Sequence, residues 1–219
     1  MRNKICLLLI VLAAACAAPA QDAKTLTREQ FYQAYRAAND KFSNTPARRE
    51  IQKEESFRDG KPAGTTDGIY EWAPTDRFRY LIVDTNDKGV TKREMIRIGT
   101  DQYCRTNGEP WKKSPGCGWG RGMGLENVVS SRYGVENIRE NGKKLTVYRQ
   151  STIYKGYLTG DPKNAPDLYW EERIFVDENG ALVREEFEDG VEATKTARWR
   201  MKNVYEYNPP GLRIEPPVK

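Results

Sequence analysis

From Arg48 onward, apolar and polar side chains alternate with period two, the pattern of antiparallel strands that bury one face. The closing stretch is the clearest. Ala197, Trp199, Met201, Asn203, Tyr205 and Tyr207 share one face, with Arg198, Arg200, Lys202 and Glu206 on the other. Further strands are predicted over Arg48–Arg58 (very polar), 65–72, the run carrying Phe78, Tyr80 and Ile82, 92–99 with Ile96 and Ile98, and 103–106. Beyond the glycine-rich stretch they resume at 144–155, 168–177 and 181–188. Asp59-Gly60, Asn107-Gly108, Asn141-Gly142, Asn179-Gly180 and Asp189-Gly190 read as turns, because Asn, Asp and Gly tolerate the left-handed backbone of tight hairpins.

One segment has a different period. Over 25–42, Phe31, Tyr35, Ala38 and Phe42 recur on one helical face. Thr27 and Gln30 have capping-box spacing, and Pro46 ends the helix because it disfavours a helical Thr45. The predicted fold is therefore α+β: an N-terminal amphipathic helix packed in a strongly curved antiparallel sheet, a half-barrel of about eight to ten strands.

The first twenty residues change the address. Arg2 and Lys4 precede an apolar run over 5–15, and Ala18-Pro19-Ala20 offers a small-x-small cleavage site. This is the layout of a secretory signal peptide, so residues 21–219 are expected as a single exported, periplasmic domain. Leu12-Ala13-Ala14-Ala15-Cys16 also resembles a lipobox, which would make Cys16 a lipidated N-terminus anchored to the outer membrane. The Ala18/Ala20 site fits its consensus better, since lipoboxes favour a larger aliphatic residue at position 13. Membrane association is expected only if Cys16 is acylated.

Composition narrows the chemistry. The chain has 36 basic and 31 acidic side chains, evenly spread, which argues against a nucleic-acid surface despite Tyr148-Arg149-Gln150 and Tyr154-Lys155. It has no histidine, which removes Ser-His-Asp triads, Cys-His pairs and His-ligated zinc. Neither a catalytic residue nor a cofactor or metal is expected. With Cys6 and Cys16 in the leader, Cys104 and Cys117 remain, and an isolated pair in an oxidising compartment is most simply a disulfide.

Three motifs compete with blander readings. The run 116–124 has glycine at every second position but lacks the Gly-Lys-Ser/Thr ending of a phosphate loop. It reads as a connecting loop, or as a flap pinned at Cys117. Asp84 to Gly89 begins like a calcium loop, but Lys88 and Met95 occupy ligand positions, so a hairpin turn is expected. Glu171/Glu172 and Glu185/Glu186 could serve a histidine-free glycan hydrolase, but strand neighbours point to opposite faces. They are read as a solvated outer face.

Gly68-Ile69-Tyr70-Glu71-Trp72-Ala73-Pro74 followed by Phe78-Arg79-Tyr80, then Ile96-Arg97-Ile98-Gly99 with Tyr103 and Trp111, and the ending Tyr205-Glu206-Tyr207-Asn208-Pro209-Pro210 with Ile214-Glu215-Pro216-Pro217, together resemble the periplasmic lipoprotein-carrier (LolA-like) superfamily and its related bacterial lipoproteins. The resemblance implies a non-enzymatic half-barrel enclosing an apolar cavity for acyl chains. The strands here carry more charge than that implies.

The expected function is binding of a lipid, lipoprotein acyl chain or similar amphipathic ligand between sheet and helix. The inward set is expected to be Phe31, Tyr35, Phe42, Phe78, Tyr80, Ile82, Ile96, Ile98, Trp170, Trp199 and Met201. The same residues could equally fill a solid core. An envelope sensor, regulator or scaffold that binds a partner protein is the alternative class, and the carboxylate hydrolase a third.

Overall fold

The computed structural model describes residues 23–114, 117, 127–156 and 165–217. The leader, Cys16 and the glycine run 118–124 lie outside the described residues.

Strand β1 (Lys24–Leu26) leads into helix α1 (Arg28–Ser43), followed by a first meander: β2 (Arg48–Arg58), β3 (Lys61–Ala73), β4 (Arg77–Asn86), β5 (Gly89–Ile98), β6 (Asp101–Thr106) and β7 (Lys112–Lys113). A second meander comprises β8 (Val128–Glu140), β9 (Lys143–Lys155), β10 (Asp167–Asp177), β11 (Leu182–Val191) and β12 (Thr196–Tyr207). All pairings are antiparallel, and β12 joins β2, fusing the meanders into one twelve-stranded sheet with β1 and β7 at its open edges. This is the expected α+β arrangement, with more strands than the pattern suggested.

Two local readings shift. The helix begins at Arg28 because Thr27 is its N-cap: Gln30 N–H donates to Thr27 Oγ1 at 3.2 Å, and Gln30 Oε1 accepts from Thr27 N–H at 2.9 Å. Thr25 and Leu26 instead pair with Gly134 and Tyr133 of β8. Asp189-Gly190 is not a turn but a register shift inside β11, and the chain reverses beyond Val191, where Lys195 has φ 51°. Gly190 is required for close approach: a Cβ there would lie 2.4 Å from Thr196 O and 2.5 Å from Tyr169 Cε1. Among the other predicted turns, Asn107-Gly108 and Asn141-Gly142 both place two successive residues at positive φ, as a type I′ hairpin needs. At the false calcium loop, Asn86 Oδ1 accepts from Lys88 N–H at 2.9 Å, closing an ordinary hairpin.

Register assigns every side chain to a face. Tyr205, Glu50, Tyr70, Tyr80, Met95 and Cys104 follow one another across six strands on one face. One residue along, Glu206, Arg49, Glu71, Arg79, Ile96 and Tyr103 form the opposite face. There Glu71, only 3% exposed, receives hydrogen bonds from Arg49 and Arg79, and Arg49 also reaches Glu206 at 2.9 Å. Alternating charge across neighbouring strands satisfies these groups on the outer face.

The helix packs against β8, β9 and β11. Its Phe31 and Ala38 join Ile174, Val176 and Leu182 in a fully buried core, with Tyr35, Tyr148 and Tyr205 at its margin. Phe42, at the helix end, meets Tyr205 (ring centroids 4.7 Å), Tyr207 (5.6 Å) and Trp72 (5.9 Å). A second cluster of Tyr80, Ile82, Met95 and Cys117 forms under β3–β6, away from the sheet region on which the helix mainly packs. The predicted Cys104–Cys117 disulfide is formed, and Tyr80 donates its hydroxyl to Cys117 O at 2.9 Å.

Candidate functional site

Because the helix covers only one half of the concave face, the remaining half is a cavity of about 740 Å³. Trp170, Phe187 and Trp199 form one wall. Trp170 and Trp199 stack at 5.8 Å between centroids with 19° between planes, and Trp170 lies 5.6 Å from Phe187. Trp72, Phe78, Tyr80 and Tyr70, in that order, form the facing wall, each ring 5.1–6.2 Å from the next. Ile82, Met95 and Met201 complete the apolar lining. An adjoining space of about 360 Å³, which shares Trp170 and Phe187, is lined by Glu172, Tyr32, Gln150 and Arg28.

Of the eleven predicted inward residues, Phe78, Tyr80, Ile82, Trp170, Trp199 and Met201 meet in this cavity. Phe31 and Tyr35 belong to the packed core under the helix, and Phe42 plugs the helix end. Ile96 and Ile98 require a correction: they pair with Arg79 and Arg77 and so lie on the convex face, opposite Tyr80 and Met95. Their alternation was legible, but its phase was not. The apolar residue facing the cavity from β5 is Met95, one position earlier.

The polar part of the cavity was missed. Glu50, Gln52 and Asn203 line it. Glu172 and Glu185 also point inward, so reading them as an outer solvated face was wrong, whereas Glu171 and Glu186 do point outward: Glu171 accepts from Ser151 and Glu186 pairs with Arg173. Glu185 sits beside Asn203 in register and is 3% exposed. Its Oε2 accepts the Tyr205 hydroxyl, which stabilises the ionised form but does not offset burial, so its pKa is raised. Burial, then repulsion from Glu185, pushes Glu50 and Glu172 up to about 7. Tyr35 and Tyr205 are raised by burial and by these carboxylates. The signal for Glu50 and Gln52 was the polar strand β2, whose even-numbered positions oppose Tyr70 and Asn203.

No family model matches the chain, and no curated protein matches it. Three solved structures are similar in arrangement. Lipoprotein LppX from Mycobacterium tuberculosis is 12% identical, with 86% of this chain and 100% of that one covered at a TM-score of 0.47. LprF from Mycobacterium bovis is 11% identical over 87% and 98%, at 0.45. A putative outer membrane lipoprotein-sorting protein domain from Vibrio parahaemolyticus is 12% identical over 84% and 94%, at 0.32.

Proposed function

We propose that this protein is an exported, non-enzymatic binding protein that holds a lipid, a lipoprotein acyl chain or a comparable amphipathic ligand on its concave face. The observation that carries the reading is the cavity of about 740 Å³ between two aromatic walls. Its volume falls in the range of small-molecule sites, which combine apolar walls with a few polar groups. The leader-like first twenty residues support export. The test is direct. Saturating dodecanol or dodecanoate should change tryptophan fluorescence and raise the melting temperature, because a ligand that binds only the folded state stabilises it by mass action. Ile82→Trp should narrow the cavity and abolish the response. Delipidated protein that responds to no twelve-carbon probe would sink the reading. Mass spectrometry of exported protein should find Gln21 as the N-terminus; an acylated Cys16 would move it to a membrane surface.

A second reading gains one observation: Glu172 and Glu185 share the concave face. Glycan hydrolysis needs one protonated acid beside one ionised carboxylate. Here Glu50, Glu172 and Glu185 are all pushed up by burial, and no ion pair holds any of them ionised among the described residues. Binding is therefore the better reading.

A further inference from the structure

The cavity has a chemical bias beyond its apolar walls. Asn203 is 6% exposed and lines it, and its Oδ1 has no hydrogen-bond partner among the described residues; its Nδ2 lies 3.5 Å from the Tyr205 hydroxyl. Glu185 Oε1, also buried, makes no hydrogen bond of ordinary geometry among the described residues, although the Asn203 amide and the Tyr35 hydroxyl both stand close enough to act on the carboxyl. Glu50 lines the same cavity, and Glu172 the space behind the shared Trp170–Phe187 wall. These are acceptors, or carboxyls that become acceptors on ionising, and buried acceptors call for donors.

Among the described residues, the arginines nearest these spaces have other contacts. Arg93 lines the cavity but pairs with Asp84. Arg48 lies over Trp72 and donates to Thr45 O, and Arg28 lies over Tyr32. From the helix, Tyr32 and Tyr35 face the acids; from β12, Tyr205 does. A carboxylate or phosphate headgroup would add negative charge to this cluster. No group of acidic residues suited to a metal ion occurs among the described residues. An ammonium group satisfies acceptors on one side and is attracted to aromatic faces on the other.

We infer, resting on the binding function proposed above, that the preferred ligand is a cationic amphiphile: a protonated primary amine on an apolar chain, its N–H groups directed at Asn203, Glu185 and Glu50 and its chain along the Trp170–Trp199 wall. Raised carboxyl pKa values add a consequence. The amine gains affinity as Glu50 and Glu172 ionise, so its advantage grows from pH 6 to pH 8.

The experiment compares dodecylamine, dodecanol and dodecanoate by calorimetry on the delipidated full-length mature protein at pH 6 and pH 8. At pH 8 the amine should bind roughly tenfold more tightly than dodecanol, and dodecanoate least well, given the strength of charge-assisted hydrogen bonds. Glu50→Gln should remove most of that preference, read as the ratio of amine to dodecanol affinity within the same variant; Asn203→Ala is a second variant should the first not fold. Equal affinities, a preference for dodecanoate, or an undiminished amine preference in folded variants would overturn the inference and leave the cavity reading intact. Binding of none of the three would overturn both.

Discussion

The Tyr205 hydroxyl donates to Glu185 on the concave face, and both side chains lie where the helix-covered core gives way to the cavity. The pair marks the boundary between a half of the sheet that is filled and a half that is lined. It also explains how a buried carboxyl is accommodated there: one oxygen accepts from a neighbouring strand, and the other is turned toward groups that only partly satisfy it.

The acids set a pH dependence of stability. Glu50 and Glu172 rise from an ordinary value of 4.5 to about 7, so between those limits the folded state retains protons that the unfolded chain releases. That contribution is complete below about pH 4.5 and lost as pH rises through 7. Glu94 and Glu188 have the opposite sign. Despite burial, Arg105 and Lys92 hold Glu94 low, and Tyr169 and Arg200 hold Glu188 low, and their contribution disappears as pH falls below the ordinary carboxylate value. The melting temperature should therefore peak in mildly acidic buffer and decline toward pH 8, with Glu50→Gln flattening the decline. A steady climb from pH 5 to pH 8 would contradict this.

Glu71 is the keystone of the convex ladder. Replacing it with Ala leaves Arg49 and Arg79 without their shared carboxylate and should cost about 2–3 kcal/mol in urea denaturation. Glu71→Gln keeps the shape and part of the hydrogen bonding and should cost less. Equal losses for the two variants would mean that packing, not charge, is what Glu71 supplies.

Cys104 and Cys117 are 13 residues apart, and closing that loop should contribute about 3 kcal/mol. Thiol titration of native protein should find no free thiol. The double Ser variant should lose stability and also weaken ligand binding, since Tyr80 on the cavity wall is tied to Cys117 O. Unchanged binding in that variant would show that the wall stands without its tether.

Gly190→Ala should destabilise by about 1–3 kcal/mol through overpacking against Tyr169. Pairing it with Tyr169→Ala should recover part of the loss, because the ring is one of the two obstacles and Thr196 O the other. Chemical denaturation of the four-member cycle measures the coupling.

Local chemistry was legible wherever it acts within a few residues. The Thr27–Gln30 capping box, the two Asn-Gly turns with paired positive φ, the alternation of β12 and the cysteine pairing all appear as read. Asp189-Gly190 misled because the same glycine that suits a turn also permits Tyr169 to cross a strand. The three-residue β1 escaped because its strand character comes from pairing with β8, 107 positions away at Leu26, the difference between the paired numbers.

That one amphipathic helix would meet a long meandering antiparallel sheet follows from the order of residues, since periodicity and turn chemistry are properties of neighbours. Which phase of each strand faces inward, and which part of the sheet the helix covers, depends on long-range pairing. Ile96 and Ile98 turn outward while Met95 turns in, and Glu172, Glu185 and Glu50 enter the concave face. The reason is register. A strand's two faces are equivalent until its partners are fixed, and a one-residue slip exchanges them. Pairing of β12 with β2, which joins residues more than a hundred positions apart, brings the aromatic walls and the acidic groups into one cavity.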